Sequence, residues 1–200
     1  MKGSLVILAF FVIGLFCGYS HLLPTEVADN SVSFVALCAL IFCVGVSIGC
    51  DAEVLHTLRH TNPRLLFLPL CTLGGTLAGC FAVSLLLPQV GITDSLAIGS
   101  GFGYYSLSSI FITEYRGAAL GTVALLANIV RELLTLLASP LLVRWFGPLA
   151  PISVGGATSM DTTLPIITRY SGKDFATLSV FHGFCMDFSV PFLVTFFCEL

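Results

Sequence analysis

An all-α integral membrane protein is the fold class this sequence predicts, and three observations carry the prediction. Of 200 residues, 56% are hydrophobic and only 10% charged, with a mean hydropathy of +1.02, more apolar surface than one soluble core of this size can bury. Apolar runs long enough to cross about 30 Å of hydrocarbon recur along the whole length. Those runs lack the polar and apolar alternation of membrane barrel strands, so helices are indicated.

In chain order the runs place seven crossings, at Gly3 to Tyr19, Ser33 to Gly49, Leu65 to Leu87, Ser95 to Thr113, Ala118 to Val143, Pro148 to Thr168 and Phe175 to Cys198. The first opens like a secretory leader, with Lys2 before an apolar run and Gly18-Tyr19-Ser20 after it. Its apolar run is longer than a leader core and further spans follow, so it reads as a retained span. The second and third complete an N-terminal three-helix membrane region, residues 1–93. Eight cysteines lie inside or beside these runs with no Cys-x-x-Cys pair, which makes them small packing residues rather than a disulfide framework. No metal or cofactor is expected: "HTLRH" (His56 to His60) has ligand-like spacing, but a charged loop corner explains it.

Spans four and six differ from the rest. "SLAIGSGFGYYSLSSIFITEY" and "PISVGGATSMDTTLPIITRY" are crowded with Gly, Ser and Thr, and the second carries Pro165. Glycine and proline weaken a continuous helix, and the backbone groups they free are tolerated at membrane depth only beside protein or water. Both segments read as broken or re-entrant helices.

Each is followed by a helix that carries an acid, and the two units resemble one another. "ITEYRG" (Ile112 to Gly117) matches "ITRYSG" (Ile167 to Gly172) at four of six positions; at the same offset Thr122 meets Thr177 and Glu132 meets Asp187. After a shift of two, Gly103 and Ser106 fall on Gly156 and Ser159. Residues 94–200 are therefore a duplicated broken-helix core, with repeats at about 94–143 and 148–198, an organisation usual in secondary transporters.

If all seven spans cross, Lys2, Arg59, Arg64, Arg116, Arg169 and Lys173 share one side, with Arg144, Glu26, Asp29 and Asp94 on the other. The positive-inside rule then sets the N-terminus in the cytoplasm and the C-terminus outside. On this count the repeats are parallel. A re-entrant broken segment makes them inverted, and Arg144 on the outer side speaks against the simple count.

Four ionisable groups fall inside apolar spans: Arg131, Glu132, Asp161 and Asp187. A mid-membrane charge costs about 2.5–3.5 kcal/mol even on mild insertion scales, so each needs protein or water beside it. In "NIVRE", Asn128 and Glu132 share a helix face, and Arg131 can reach a carboxylate on another helix or lock a broken one. Asp161 sits at a break, with Thr158, Ser159, Thr162 and Thr163 as short oxygen ligands for an ammonium, a proton or a small cation. Its structural alternative is to cap the helical half that follows. The counterpart break, Gly101 to Ser109, adds Gly103, Tyr104, Ser106 and Ser108 as substrate- or proton-binding candidates and offers N–H donors for a substrate carboxylate. His182 and Asp187, five residues apart, do not share a face; His182 reads either as a packed hydrogen-bonding residue or as a proton relay.

Three function classes compete. A hydrolase drawn from Ser159, His182 and a carboxylate lacks a fixed nucleophile–base pair, and "GSGFG" has no lysine after it to hold phosphate. A channel could use the glycine-hydroxyl segments as a pore lining, and a structural subunit of a larger transporter has the same composition. Buried titratable acids favour coupled transport.

At these residues the chain resembles a known family. "SGFGYYSLSS", "NIVRE", "GGATSMDTTLP" and "HGF", in this order and spacing, are similar to characteristic blocks of the LysO family of lysine exporters. The resemblance implies an inner-membrane exporter of L-lysine, with toxic lysine analogues as further cargo, driven by inward proton flow. It places the family's acidic motif position on Asp161 and its Arg-Glu pair on Arg131 and Glu132. Family members carry a further N-terminal membrane region with a buried acid, whereas spans one to three here have no charge between their ends. A second copy of the chain, or a small membrane subunit, is expected to supply it. Nucleic acid is not an expected partner.

Overall fold

The computed structural model describes residues 65–200 apart from Pro88, and before them only Phe16, Ser20, Phe42 and Val46. The first two expected spans, the "HTLRH" corner and the loop of Asp29 lie outside the described residues. Among the described residues every regular element is helical.

Among the described residues, three helices are long and apolar enough to cross a membrane. A 3-10 turn, Leu65–Phe67, leads into α1, Leu68–Leu86, with Pro69 in its first turn where the missing N–H is no loss. The other two long helices are α4, Ala118–Phe146, and α7, Ala176–Glu199. Each follows a glycine in a left-handed conformation, Gly117 (φ 92°, ψ 164°) before α4 and Gly172 (φ 106°, ψ 154°) before the 3-10 turn Lys173–Phe175 that opens α7. These are the matched glycines of "ITEYRG" and "ITRYSG", and they share one backbone conformation.

Both glycine-rich segments are interrupted. The first is α2, Ile92–Gly99, and α3, Tyr105–Arg116, joined through Ser100 to Tyr104. The second is α5, Ala150–Gly155, a 3-10 stretch Gly156–Met160, and α6, Leu164–Ser171.

Neither segment passes straight through. Asp94, in the first turn of α2, meets Arg116, in the last turn of α3, at 3.8 Å. Had α2 and α3 been collinear, those residues would lie about 30 Å apart at 1.5 Å per residue. The segment is a hairpin that turns back at its glycines. In the second segment Ile152 of α5 and Ile167 of α6 share one core cluster with Leu178 and Phe181 near the start of α7, so it too returns to the side it came from.

The hairpins come from opposite ends. Arg116 Nε donates to the Cys198 carbonyl at 3.0 Å, so the first hairpin's ends lie beside the C-terminal end of α7, and the second's lie beside its start. Helix α4 leaves the first end just after Arg116 and carries Arg144 in its last turn, so α4 and α7 run in opposite directions. Each unit is thus a re-entrant hairpin plus one crossing helix, and the two units are inverted. Of the two arrangements the sequence left open, this geometry favours the inverted one, with Arg144 at the same end as Arg169 and Lys173.

Candidate functional site

The two hairpin tips meet inside the bundle. Ala157 N–H donates to the Phe102 carbonyl at 2.8 Å, joining the breaks through their backbones. Close approach needs glycine on both sides. A Cβ on Gly156 (φ 61°) would overlap the Phe102 carbonyl, and one on Gly103 (φ 94°) would sit 3.0 Å from the Gly155 oxygen. Phe102 itself has φ 45° and is fully buried, a strained conformation held by its neighbours.

Helix α4 ties down both tips from one face. Asn128 is buried; its Oδ1 accepts Gly103 N–H at 2.8 Å, and its Nδ2 donates to the Ala124 carbonyl at 2.9 Å and approaches the Ile98 carbonyl at 3.4 Å and Ser108 Oγ at 3.5 Å. Ser108 Oγ donates to the Tyr104 carbonyl at 2.8 Å. Asn128 and Ser108 are therefore engaged in holding the first break. One turn further on, Arg131 Nε donates to the Val154 carbonyl at 2.8 Å and Nη2 to the Ser153 carbonyl at 3.1 Å, with Thr76 Oγ1 at 3.4 Å; its guanidinium also lies 5.6 Å from the centre of the Phe102 ring. It binds the C-terminal carbonyls of a short helix, which carry partial negative charge. A carboxylate partner on another helix is not what it finds: among the described residues the one ion pair is Asp94–Arg116. Glu132 is half-buried beside it on α4 and makes no ion pair among the described residues.

Helix α7 clamps the second tip. Ser159 Oγ lies 2.7 Å from the Gly156 carbonyl and 3.0 Å from that of Ser179, and Ser179 Oγ donates to the Ser159 carbonyl at 2.7 Å. His182 is fully buried, with Nδ1 at 3.3 Å from Ser159 Oγ and Nε2 at 2.9 Å from Thr72 Oγ1 on α1. Each ring nitrogen of His182 thus has a hydroxyl partner, Ser159 on one side and Thr72 on the other, which holds the buried ring in place. Thr72 bore no sign of this role in the sequence, because a threonine in an apolar run is silent until its partner is known.

The expected ring of hydroxyls around Asp161 does not form. Thr158 Oγ1 donates to the Gly155 carbonyl at 2.9 Å and Thr163 Oγ1 to the Thr158 carbonyl at 2.9 Å, so both serve the tip's own backbone. Asp161 and Thr162 are exposed at the tip, where Thr162 N–H donates to Asp161 Oδ1 at 2.5 Å. Asp187 is buried on α7, the helix whose Ser179 and His182 clamp the second tip, and Tyr104 is half-buried just before α3. Ser106, in the first turn of α3, is exposed. Asp161 is therefore exposed at the second tip and Asp187 buried on the helix that clamps it, while His182, Ser159 and Asn128 are turned into the packing.

The chain is an all-α membrane protein, and its described residues contain two hairpin-and-helix units that run in opposite directions. It belongs to the lysine exporter LysO family, whose model matches residues 8–198. It is 33% identical over 194 residues to the lysine exporter LysO of Escherichia coli K12, covering 97% of this chain and 64% of that protein. It is 32% identical over 168 residues to a putative lysine exporter of Haemophilus influenzae, covering 84% of this chain and 85% of that protein. No solved structure matches the chain.

Proposed function

We propose that this chain is a secondary active exporter of L-lysine, working as a proton antiporter in the bacterial inner membrane, with Asp161 and Asp187 as its proton and ammonium site. Family membership supports lysine as the cargo. What supports the coupling is a pair of carboxyl groups at one break, Asp161 exposed at the second hairpin tip and Asp187 buried on the helix whose Ser179 and His182 hold that tip.

Two nearby carboxylates repel one another, so a site of this kind gains from holding either a proton or one organic cation. The side-chain ammonium of lysine and a proton then compete for it, and competition for one site is what couples opposed fluxes. The inverted units give two related conformations, one open to each side. Exposed Asp161 at the end of a re-entrant hairpin calls for water at that depth, the condition under which such backbone is tolerated. The end bearing Arg144, Arg169 and Lys173 is cytoplasmic on this reading. The working unit is an assembly of this chain with itself or with a small membrane subunit.

The test is lysine-driven proton movement in liposomes holding the purified chain, alone and with its co-purifying partners, under a pH gradient. Asp161→Asn and Asp187→Asn keep the shape and lose the titration, so each is expected to abolish coupled flux with insertion intact. Wild-type rates and an unchanged pH profile in Asp161→Asn would overturn the reading.

A further inference from the structure

We propose that the cleft between α1, α4 and α5 is a carboxylate-binding site, with the Arg131 guanidinium as its receptor and the α-carboxylate of the exported amino acid as its ligand. The proposal deepens the export reading and rests on it for the identity of the ligand. The cleft has a volume of about 480 Å³, within the range of small-molecule sites, and is walled by Cys71, Gly75 and Thr76 of α1, by Ser153 and Val154 of α5, and by Arg131.

Three features make it a receptor. The bonds of Arg131 to Val154, Ser153 and Thr76 use Nε and Nη2, so Nη1 keeps its N–H donors free of the described groups while the guanidinium is held in place. Its charge has no carboxylate partner among the described residues, and a cation at membrane depth is best balanced by an anion. The glycines of the first break do not compete for it: the N–H groups of Gly101, Phe102, Gly103, Tyr104 and Tyr105 are taken by Ile98, Gly99, Asn128, Gly101 and Gly103, and only those of Ser106 and Leu107 in the first turn of α3 find no acceptor among the described residues. That break cannot offer those donors to a substrate carboxylate, as its glycines suggest it would. Gly75 supplies the room, since a Cβ there meets nothing within 4 Å.

Cys71 reports on the cleft directly, being exposed and part of its wall. With the other cysteines replaced by alanine, its alkylation by a neutral maleimide is measured in the purified chain with and without ligands. Lysine and 6-aminohexanoate, which carry a carboxylate, are expected to slow labelling; cadaverine, which is lysine without its carboxylate, is not. Arg131→Lys loses the fork that pairs with carboxylate, and protection by lysine should weaken about 10- to 100-fold in apparent affinity. Gly75→Leu fills the cleft without touching the bonds of Arg131 and should abolish protection in a normally folded protein. Equal protection by cadaverine, or none by lysine in a chain that transports it, would overturn the site. Equal protection by acetate and lysine would overturn the assignment to the exported amino acid, leaving a general anion site. Failure of the export reading itself shows separately, as absence of lysine flux in the liposomes.

Discussion

Gly156 and Gly147 have left-handed φ angles of 61° and 87°, yet only one is hemmed in. A Cβ at Gly147 meets nothing within 4 Å, whereas at Gly156 it would overlap the Phe102 carbonyl. Both alanine variants pay the backbone strain of about 1–3 kcal/mol, but only Gly156→Ala must also part the tips and break the Ala157–Phe102 bond. Thermal unfolding in detergent should show a clearly larger drop for Gly156→Ala than for Gly147→Ala; equal drops would mean that the tips do not depend on close contact. Asn128→Ala should cost about 1–3 kcal/mol by leaving the buried Gly103 N–H unpaired, checked by the same melt. The glycines were legible in the sequence because breaks need them. The partners of Arg131 were not, because backbone carbonyls carry no letter, and reading an arginine invites a search for carboxylates. The hydroxyls beside Asp161 misled for a related reason: in a 3-10 stretch they are drawn to carbonyls three residues back, as Thr158 and Ser159 are.

A helix broken in mid-membrane and a helix that turns back share one composition, which is why both segments could be recognised as interrupted while their path could not. The deciding contact, Asp94 with Arg116, joins residues at opposite ends of the segment. With α2 of 8 residues and α3 of 12, neither arm alone spans the roughly 30 Å of hydrocarbon at 1.5 Å per residue. Cysteines placed at 94 and 116 in an otherwise cysteine-free chain should therefore be joined by a short bifunctional maleimide, seen as a mobility shift after cleavage of the loop between them. No cross-link, with each cysteine reactive alone, would restore a segment that crosses. The long helices α1, α4 and α7 were readable to within three residues at each end, since uninterrupted apolar runs leave few alternatives.

At the scale of the whole molecule, two re-entrant hairpins redistribute the charges between the membrane faces. Lys173 and Asp174 begin α7, and Arg169 and Arg144 lie in the last turns of α6 and α4 at the same end; Asp94, Glu114, Arg116 and Glu199 gather at the other. Three cations with one acid thus face one cation with three acids; the cation asymmetry equals that of the all-crossing count, with Arg116 in place of Arg144 as the outlying cation and the acids moved to the face opposite the three cations. The same arrangement makes the units inverted, and on the proposed export reading a motion that opens one hairpin tip to one face would have a counterpart, built from the other unit, that opens to the opposite face. Single cysteines at 144 and 173 should accordingly be labelled by an impermeant reagent only after the cells are permeabilised, and single cysteines at 116 and 199 without permeabilisation. The pair at 116 and 144 decides the matter, because both topologies put them on opposite faces but assign the faces in reverse. External labelling at 144 with protection at 116 would return the chain to parallel repeats, and with them the symmetry argument for two-sided access would fall.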